Sequence, residues 1–301
     1  MGQVEAITLD EMYDPGGVDA GDRALNRSYN PRSSRLMFAI IDELDIGPAD
    51  VVLDIGGRHA SHSLALAEMF GCRVVCVDPV DSNNDRARTA VAGHAAGSRV
   101  SIRPGVMEDI PGSEGEFDLI FSCDMFFHVV DADRALAEGH RVLKAGGHLL
   151  VYQSFATDLL EPGERARLYA DLAVVPERME TDDFEKRALE AGFTIEMIDV
   201  VGSEFREASE EDGTNLTSRQ LLYAARLLRE SAVLRAELGD SDYRVELGNA
   251  LWGVYQMIGK LEPRIYLLRK PRASNAERLQ EGPAHPPSAV TPRADPTREP
   301  R

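Results

Sequence analysis

Apolar positions along this chain follow two periods in alternation. Val51–Ile55, Arg73–Val77, Val100–Arg103, Phe117–Phe121, His148–Tyr152, Phe193–Val201 and Arg264–Leu268 are short runs with a β-branched or aromatic bias, which predict seven strands. Between them the spacing changes to that of helices. Arg32–Leu44 carries Leu36, Met37, Ile40, Ile41 and Leu44 on one face, and Ala60–Phe70 carries Ala60, Leu64, Leu66, Ala67 and Phe70. Ser82–Ala96, Asp131–Lys144 and Asp182–Ala191 read as further helices, with Gly71, Gly146-Gly147 and Gly192 as stops. Alternating strands and helices predict an α/β architecture.

The first strand, helix and second strand organise the rest. Val51–Ile55 breaks at Gly56-Gly57 into a tight turn, and the second strand ends in Asp78, about 20 residues beyond, where a dinucleotide-type fold sets an acid against ribose hydroxyls. The turn departs from GxGxxG, because Arg58 and His59 fill its middle and Ala60 is its last small residue. A pyrophosphate fits such a turn poorly. Asp54 before the turn and Asp78 after the second strand suit a ligand with an ammonium group and a ribose but no phosphate, namely S-adenosylmethionine. Asp54 either orients groups around that ammonium or holds the first turn.

At these residues the chain resembles the class I S-adenosylmethionine-dependent methyltransferases. VLDIGGRHA is similar to their first motif, an apolar strand and an acid followed by GxGxG, with Arg58 and Ala60 standing at two of the glycine positions. Gly105–Pro111, GVMEDIP, is similar to their GDAEDLPF stretch, with Val106 in place of an acid. Phe117–Leu150, FDLIFSCDMFFHVVDADRALAEGHRVLKAGGHLL, resembles their FDLI–S–H–D–RVLKPGG block, as in the ubiquinone and menaquinone methyltransferases. The three motifs span about residues 50–155.

The resemblance implies a Rossmann-like, doubly wound, mostly parallel seven-stranded sheet with an antiparallel last strand and a helical cap. It implies S-adenosyl-L-methionine as cofactor and S-adenosyl-L-homocysteine as product, held by Asp54, Gly56, Gly57, Arg58, Asp78, Pro79, Met107, Glu108, Asp109 and Cys123. Arg58 either pairs with the methionyl carboxylate or lies in solvent, and Glu108-Asp109 either recognise adenine or face water, with Met107 as an alternative packing partner for the ring. His128 matches a histidine of the family block and is a candidate general base, or else it caps the loop before the Asp131 helix. Tyr13 and Tyr29 are candidate lid aromatics, or surface tyrosines of two turns. His59, His62 and His128 lack a carboxylate–histidine motif, so no metal is expected.

Charge narrows the partners. A net charge of −18 with no Lys/Arg run repels phosphate backbones and argues against nucleic acid. Cys72, Cys76 and Cys123 form no CxxC pair and read as reduced core residues. With no signal segment and no apolar run near the ~18 residues of a membrane helix, a cytoplasmic protein is expected. The division expected is a lid and helix over 1–46, a methyltransferase domain over 47–270 with cap insertions at about 155–180 and 203–260, and a disordered Pro-rich tail over 271–301. Thr214–Leu238 and Ser241–Gly259 read as cap helices that contact substrate or pair two copies. The function expected is methylation of O, N or C on a small, mostly apolar metabolite. The alternatives are a scaffold protein that has lost the cofactor, or an enzyme in which the sulfonium assists a reaction without methyl transfer.

Overall fold

Seven strands lie in one sheet: β1 (Val51–Ile55), β2 (Arg73–Asp78), β3 (Val100–Pro104), β4 (Phe117–Cys123), β5 (Leu143–Ala156), β6 (Thr194–Val200) and β7 (Leu261–Arg269). A computed structural model describes residues 6–13 and 21–272, so the tail from 273 and parts of the lid lie outside the described residues. The strand order is β3-β2-β1-β4-β5-β7-β6, and β7 runs antiparallel to both neighbours while the others are parallel. This is the Rossmann-like, doubly wound sheet with an antiparallel last strand. β1, β2 and β4 are buried along almost their whole length, as parallel strands covered on both faces must be.

Among the described residues, a four-residue helix at Leu9–Met12 precedes ten further α-helices that accompany the sheet. α1 (Arg35–Asp42), α2 (Ser61–Phe70) and α3 (Asp81–Ala92) cover one face, where Ile41, Leu66 and Ala87 meet Val52, Val74 and Phe121. α4 (Ala132–Val142) covers the other, where Ala135 and Leu136 meet Leu53, Val75 and Ile120. Asp131 caps α4 by accepting from the Arg134 amide at 3.0 Å, and His140 and Arg141 sit in its last turn against the dipole. α5 (Pro162–Asp171) and α6 (Thr181–Glu190) lie between β5 and β6. α7 (Glu204–Glu211), α8 (Leu216–Arg229), α9 (Ser231–Leu238) and α10 (Asp240–Met257) lie between β6 and β7.

The differences from the sequence reading have local causes. The helix expected over Thr214–Leu238 divides at Glu230, whose φ of −109° and ψ of 31° leave the helical region. α7 escapes the periodicity because its sequence, EFREASEE, offers only Phe205 and Ala208 as an apolar stripe. β7 begins three residues earlier than expected and includes Pro263. A proline is tolerated there because β6 has already ended: its last partner is Arg264, and Val201 and Gly202 donate to the Pro263 carbonyl instead. On α8 and α9, Leu221, Leu222, Leu228 and Val233 are exposed, the side chains expected for contact with a second copy.

Candidate functional site

The sheet reverses its winding between β1 and β4, and open α/β sheets bind ligands outside the carboxyl ends of such a pair. Ile55 is paired with Ser122 there, which sets the Gly56–Ala60 turn beside Cys123 and Asp124. The turn is held from β2, since the amides of Gly56 and Gly57 both donate to the Val77 carbonyl, at 2.8 and 3.2 Å. Gly56 takes a φ of +75°. A Cβ on Gly57 would lie 2.5 Å from the Cys76 sulfur and 2.8 Å from Asp54 Oδ2, so only glycine fits. Arg58 and Ala60 also adopt positive φ, 47° and 62°, the left-handed backbone that glycine takes most easily.

The two acids of the first unit are both buried. Asp54 Oδ2 accepts from Ser63 Oγ at 2.5 Å, and burial pushes its carboxyl above the ordinary range while Ser63 and the nearby His62 oppose the shift. Asp78 Oδ1 accepts from the Val80 amide at 2.9 Å and from Asn83 Nδ2 at 3.1 Å, and Oδ2 accepts from the Arg58 amide at 3.0 Å. Asp78 therefore builds the turn, and Oδ2 keeps a lone pair for a ligand hydroxyl.

Beyond β4 and β5 a polar network joins the strand edge to the cap. Asp124, at a φ of 49°, accepts from the Ser154 amide and hydroxyl at 3.2 and 3.1 Å through Oδ1, and from Trp252 Nε1 at 3.2 Å through Oδ2. Burial pushes its carboxyl up against these hydrogen bonds. Gln256, one turn after Trp252 on α10, donates to Ser154 Oγ at 2.7 Å and accepts from Arg206 Nε at 2.6 Å. Tyr152 stacks on Phe205 with centroids 5.6 Å apart and an interplanar angle of 11°. Burial raises the Tyr152 phenol well above its ordinary value, and it does the same to the Cys123 thiol.

The residues expected at the site are only partly brought together. Asp54, Gly56, Gly57, Asp78 and Cys123 converge on the switch point, with Arg58 exposed on its rim and Pro79 exposed beyond β2. Met107 is buried, with its Cε by Gly139 and its side chain in the core between β4 and α4. Glu108 accepts from the amides of Val130 and Asp131 at 3.1 and 3.4 Å, which ties its loop to the start of α4, and Asp109 is exposed. His128 is exposed, with Nδ1 3.0 Å from the Ala173 carbonyl, so it fastens the turn Phe126–His128 to the segment after α5. Tyr13 and Tyr29 are 69% and 62% exposed, and Tyr29 lies under the Arg27 guanidinium at 4.7 Å. Tyr29 lines a cavity with Arg32, Glu204 and Glu207, beside the start of α7. Sequence reading missed Arg206, Gln256 and the role of Trp252; the available signals were a lone arginine in an acidic stretch and the chain's single tryptophan.

The edge fits a nucleoside with an amino-acid end. Gly57 lets Cys76 and Asp54 pack directly against the turn, and Asp78 has its spare lone pair. Two buried polar atoms nearby, Asn84 Oδ1 and Ser122 Oγ, have no hydrogen-bond partner among the described residues, which a folded interior tolerates mainly where a ligand or water completes them. Met125 lies over Gly56, its Cγ 2.4 Å from where a Cβ would stand, and its flexible side chain is suited to yield.

Comparison with known proteins agrees with this fit. The family described as a methyltransferase domain matches residues 53–151. A glycine/sarcosine/dimethylglycine N-methyltransferase of Actinopolyspora halophila is 30% identical over 132 residues, 44% of this chain and 23% of that protein. The chain therefore spans less than a quarter of that relative's length. A dimethylglycine N-methyltransferase of Parasynechococcus marenigrum is 24% identical over 245 residues, 79% of this chain and 82% of the relative. Among solved structures, geranyl diphosphate C-methyltransferase from Streptomyces coelicolor A3(2), in complex with Mg2+, geranyl diphosphate and S-adenosyl-L-homocysteine, aligns with a TM-score of 0.58. That alignment has 14% identity and covers 79% of this chain and 80% of the other, a likeness of fold.

Proposed function

We propose that this chain, which belongs to the class I S-adenosylmethionine-dependent methyltransferases, methylates a small molecule held between the carboxyl ends of β4 and β5 and the helical cap. The observation that carries this reading is the pairing of Ile55 with Ser122, which sets the glycine turn on one side of the crevice and the Asp124–Trp252 network on the other. S-adenosylmethionine, when bound, supplies a methyl group activated by a sulfonium.

The chain's own residues then position and enclose. Asp78 Oδ2 would accept from a ribose hydroxyl, and the Asp54–Ser63 pair, packed under Gly57, would orient the ammonium end. Trp252 and Met125 would exclude water, and holding nucleophile and methyl carbon in line in a dry cavity is the main demand of the reaction.

The apolar acceptor expected from the cap's residue types is less well supported. Leu160, Leu168, Val174, Met179 and Tyr255 pack on one another inside the cap, while the cap's contribution to the strand edge is polar. His128, bonded through Nδ1 to Ala173, is read as a loop fastener rather than a base.

Calorimetric titration with S-adenosylhomocysteine tests the reading, followed by transfer of labelled methyl from S-adenosylmethionine to a panel of amines, acids and alcohols. Micromolar binding and transfer to at least one acceptor are expected. Absence of cofactor binding would overturn the enzyme reading in favour of a scaffold protein.

A further inference from the structure

Arg206 differs from the other partly buried arginines of the fold. Arg32, Arg178, Arg187, Arg244 and Arg264 each meet a carboxylate. Arg206 meets only neutral oxygens: Nε donates to Gln256 Oε1 at 2.6 Å and Nη1 to Gln220 Oε1 at 2.9 Å. A guanidinium presents five N–H donors in one plane, so Nη2 and half of Nη1 have no protein partner among the described residues. Burial pulls this guanidinium below its ordinary value, with Tyr152, Asp124 and Glu210 compensating only from a distance. Withdrawing a cation from water without a paired anion is costly, and folds seldom retain one without a use for it.

The surroundings say what the use is. The two glutamines fix the plane of the guanidinium from α8 and α10, so its end-on face, Nη1 and Nη2, is preorganised. That face has the spacing of two carboxylate oxygens. Tyr152, stacked on the neighbouring Phe205, lies within electrostatic range of it, and its hydroxyl also has no hydrogen-bond partner among the described residues. Asp124 is reached only through Gln256 and Ser154, two neutral side chains, and so does not occupy the free face.

We propose that Arg206, with the Tyr152 hydroxyl, seats a carboxylate of the acceptor, so that the molecule methylated is a small organic anion. The inference rests on the methyltransferase reading and names the substrate class of the same site. The cofactor's methionyl carboxylate has the same chemistry, but its place is by the glycine turn. Tyr152 lies on β5, two strands from β1, about 9–10 Å away at ordinary strand spacing.

The test uses the full chain saturated with S-adenosylhomocysteine and titrated with sodium acetate or, at equal ionic strength, with acetamide. Emission of Trp252, the chain's single tryptophan and one helical turn from Gln256, reports binding. Acetate is expected to give a saturable change and acetamide none. Arg206→Met is expected to raise the acetate dissociation constant at least tenfold, while calorimetric affinity for S-adenosylhomocysteine changes less than twofold. Equal responses to acetate and acetamide, or an unchanged constant in the variant, overturn the proposal. So does a variant that binds S-adenosylhomocysteine weakly yet retains 5′-methylthioadenosine, which lacks the methionyl carboxylate, because Arg206 would then serve the cofactor. Should Arg206→Met fail to fold, the wild-type pair of titrations and Tyr152→Phe, expected to weaken acetate several-fold, decide the matter. If the wild type binds no S-adenosylhomocysteine, the methyltransferase reading falls, and acetate titration of the unliganded chain still reads the anion seat.

Discussion

Asp124, one residue past β4, accepts the indole N–H of Trp252 at 3.2 Å, and this bond, with that from Gln256 to Ser154, ties the strand edge to the longest helix of the cap. The carboxyl is otherwise held by Ser154, and burial raises its pKa above the ordinary ~3.9 of aspartic acid. The folded state therefore binds this proton more tightly than the unfolded chain does. Its contribution to stability is fully present below the unfolded pKa and is lost as pH rises through the raised folded value. Asp54 is shifted in the same direction. Asp124→Asn is expected to flatten that part of the stability-versus-pH curve, measured by denaturant unfolding across the acid range. A curve identical to wild type would show that Asp124 does not titrate there. Trp252→Phe removes the donor and leaves Oδ2 bare, at a cost of about 1–2 kcal/mol.

Arg58 and Ala60 hold positive φ at a turn whose geometry belongs to glycine. A left-handed conformation costs a non-glycine residue about 1–2 kcal/mol, offset in part by the ~0.5–1 kcal/mol of extra chain entropy that glycine loses on folding. Ala60→Gly is therefore expected to stabilise the protein by up to about 1 kcal/mol, raising Tm by about 2–4 °C. Because Ala60 is fully buried, an added cavity would act in the other direction, and a fall in Tm would show that its methyl group matters more than the strain. Gly57→Ala has no such ambiguity. Its Cβ meets the Cys76 sulfur and Asp54 at distances no side chain tolerates, so loss of about 1–3 kcal/mol is expected along with cofactor binding.

How far the sequence could be read follows from where each signal lives. Strands and crossing helices were legible because buried parallel strands are continuous apolar runs and their helices have one apolar face, as in Val51–Ile55 and Arg35–Asp42. Asp54, Gly57 and Asp78 were legible as a local spacing around one turn. Arg206, Gln220, Gln256 and Ser154 were not, because they come from three helices and a strand, 102 residues apart for the Ser154–Gln256 bond, and no period in the chain joins them. The burial of Met107 was hidden for a related reason. A loop methionine reads as available for a ring, and only the tertiary structure shows it filling the core beside Gly139.

Asp78 holds the glycine turn, and in the proposed site it also offers Oδ2 to the ribose, so the two uses separate on mutation. Asp78→Asn keeps one acceptor oxygen for Val80 and Asn83 but turns an N–H toward the Arg58 amide, which leaves a donor facing a donor. It also replaces the oxygen offered to the ribose with an NH2 group, which donates and cannot accept. Affinity for S-adenosylhomocysteine is expected to fall about 100-fold, equivalent to ~2.7 kcal/mol, by calorimetry. Undiminished affinity would place the ribose elsewhere.

Arg32 joins the segment before α1 to the far side of the sheet. Its guanidinium meets Asp199 Oδ2 and Glu204 Oε2, each at 2.6 Å, and its amide donates to Glu204 at 3.0 Å. These two acids lie at the end of β6 and the start of α7, the helix that carries Arg206, so the latch and the anion seat share one support. The arginine side chain is 40% exposed, and solvent screening limits what the ion pairs contribute to about 1 kcal/mol. Arg32→Ala is therefore expected to move Tm by only a few degrees while opening the 21–34 segment to limited proteolysis. Raising the salt concentration should mimic the variant in part, since the Debye length falls to about 3 Å at 1 M. Wild-type resistance to protease in the variant would show that Arg35, Leu36 and the packing of α1, rather than the ion pairs, hold the segment in place.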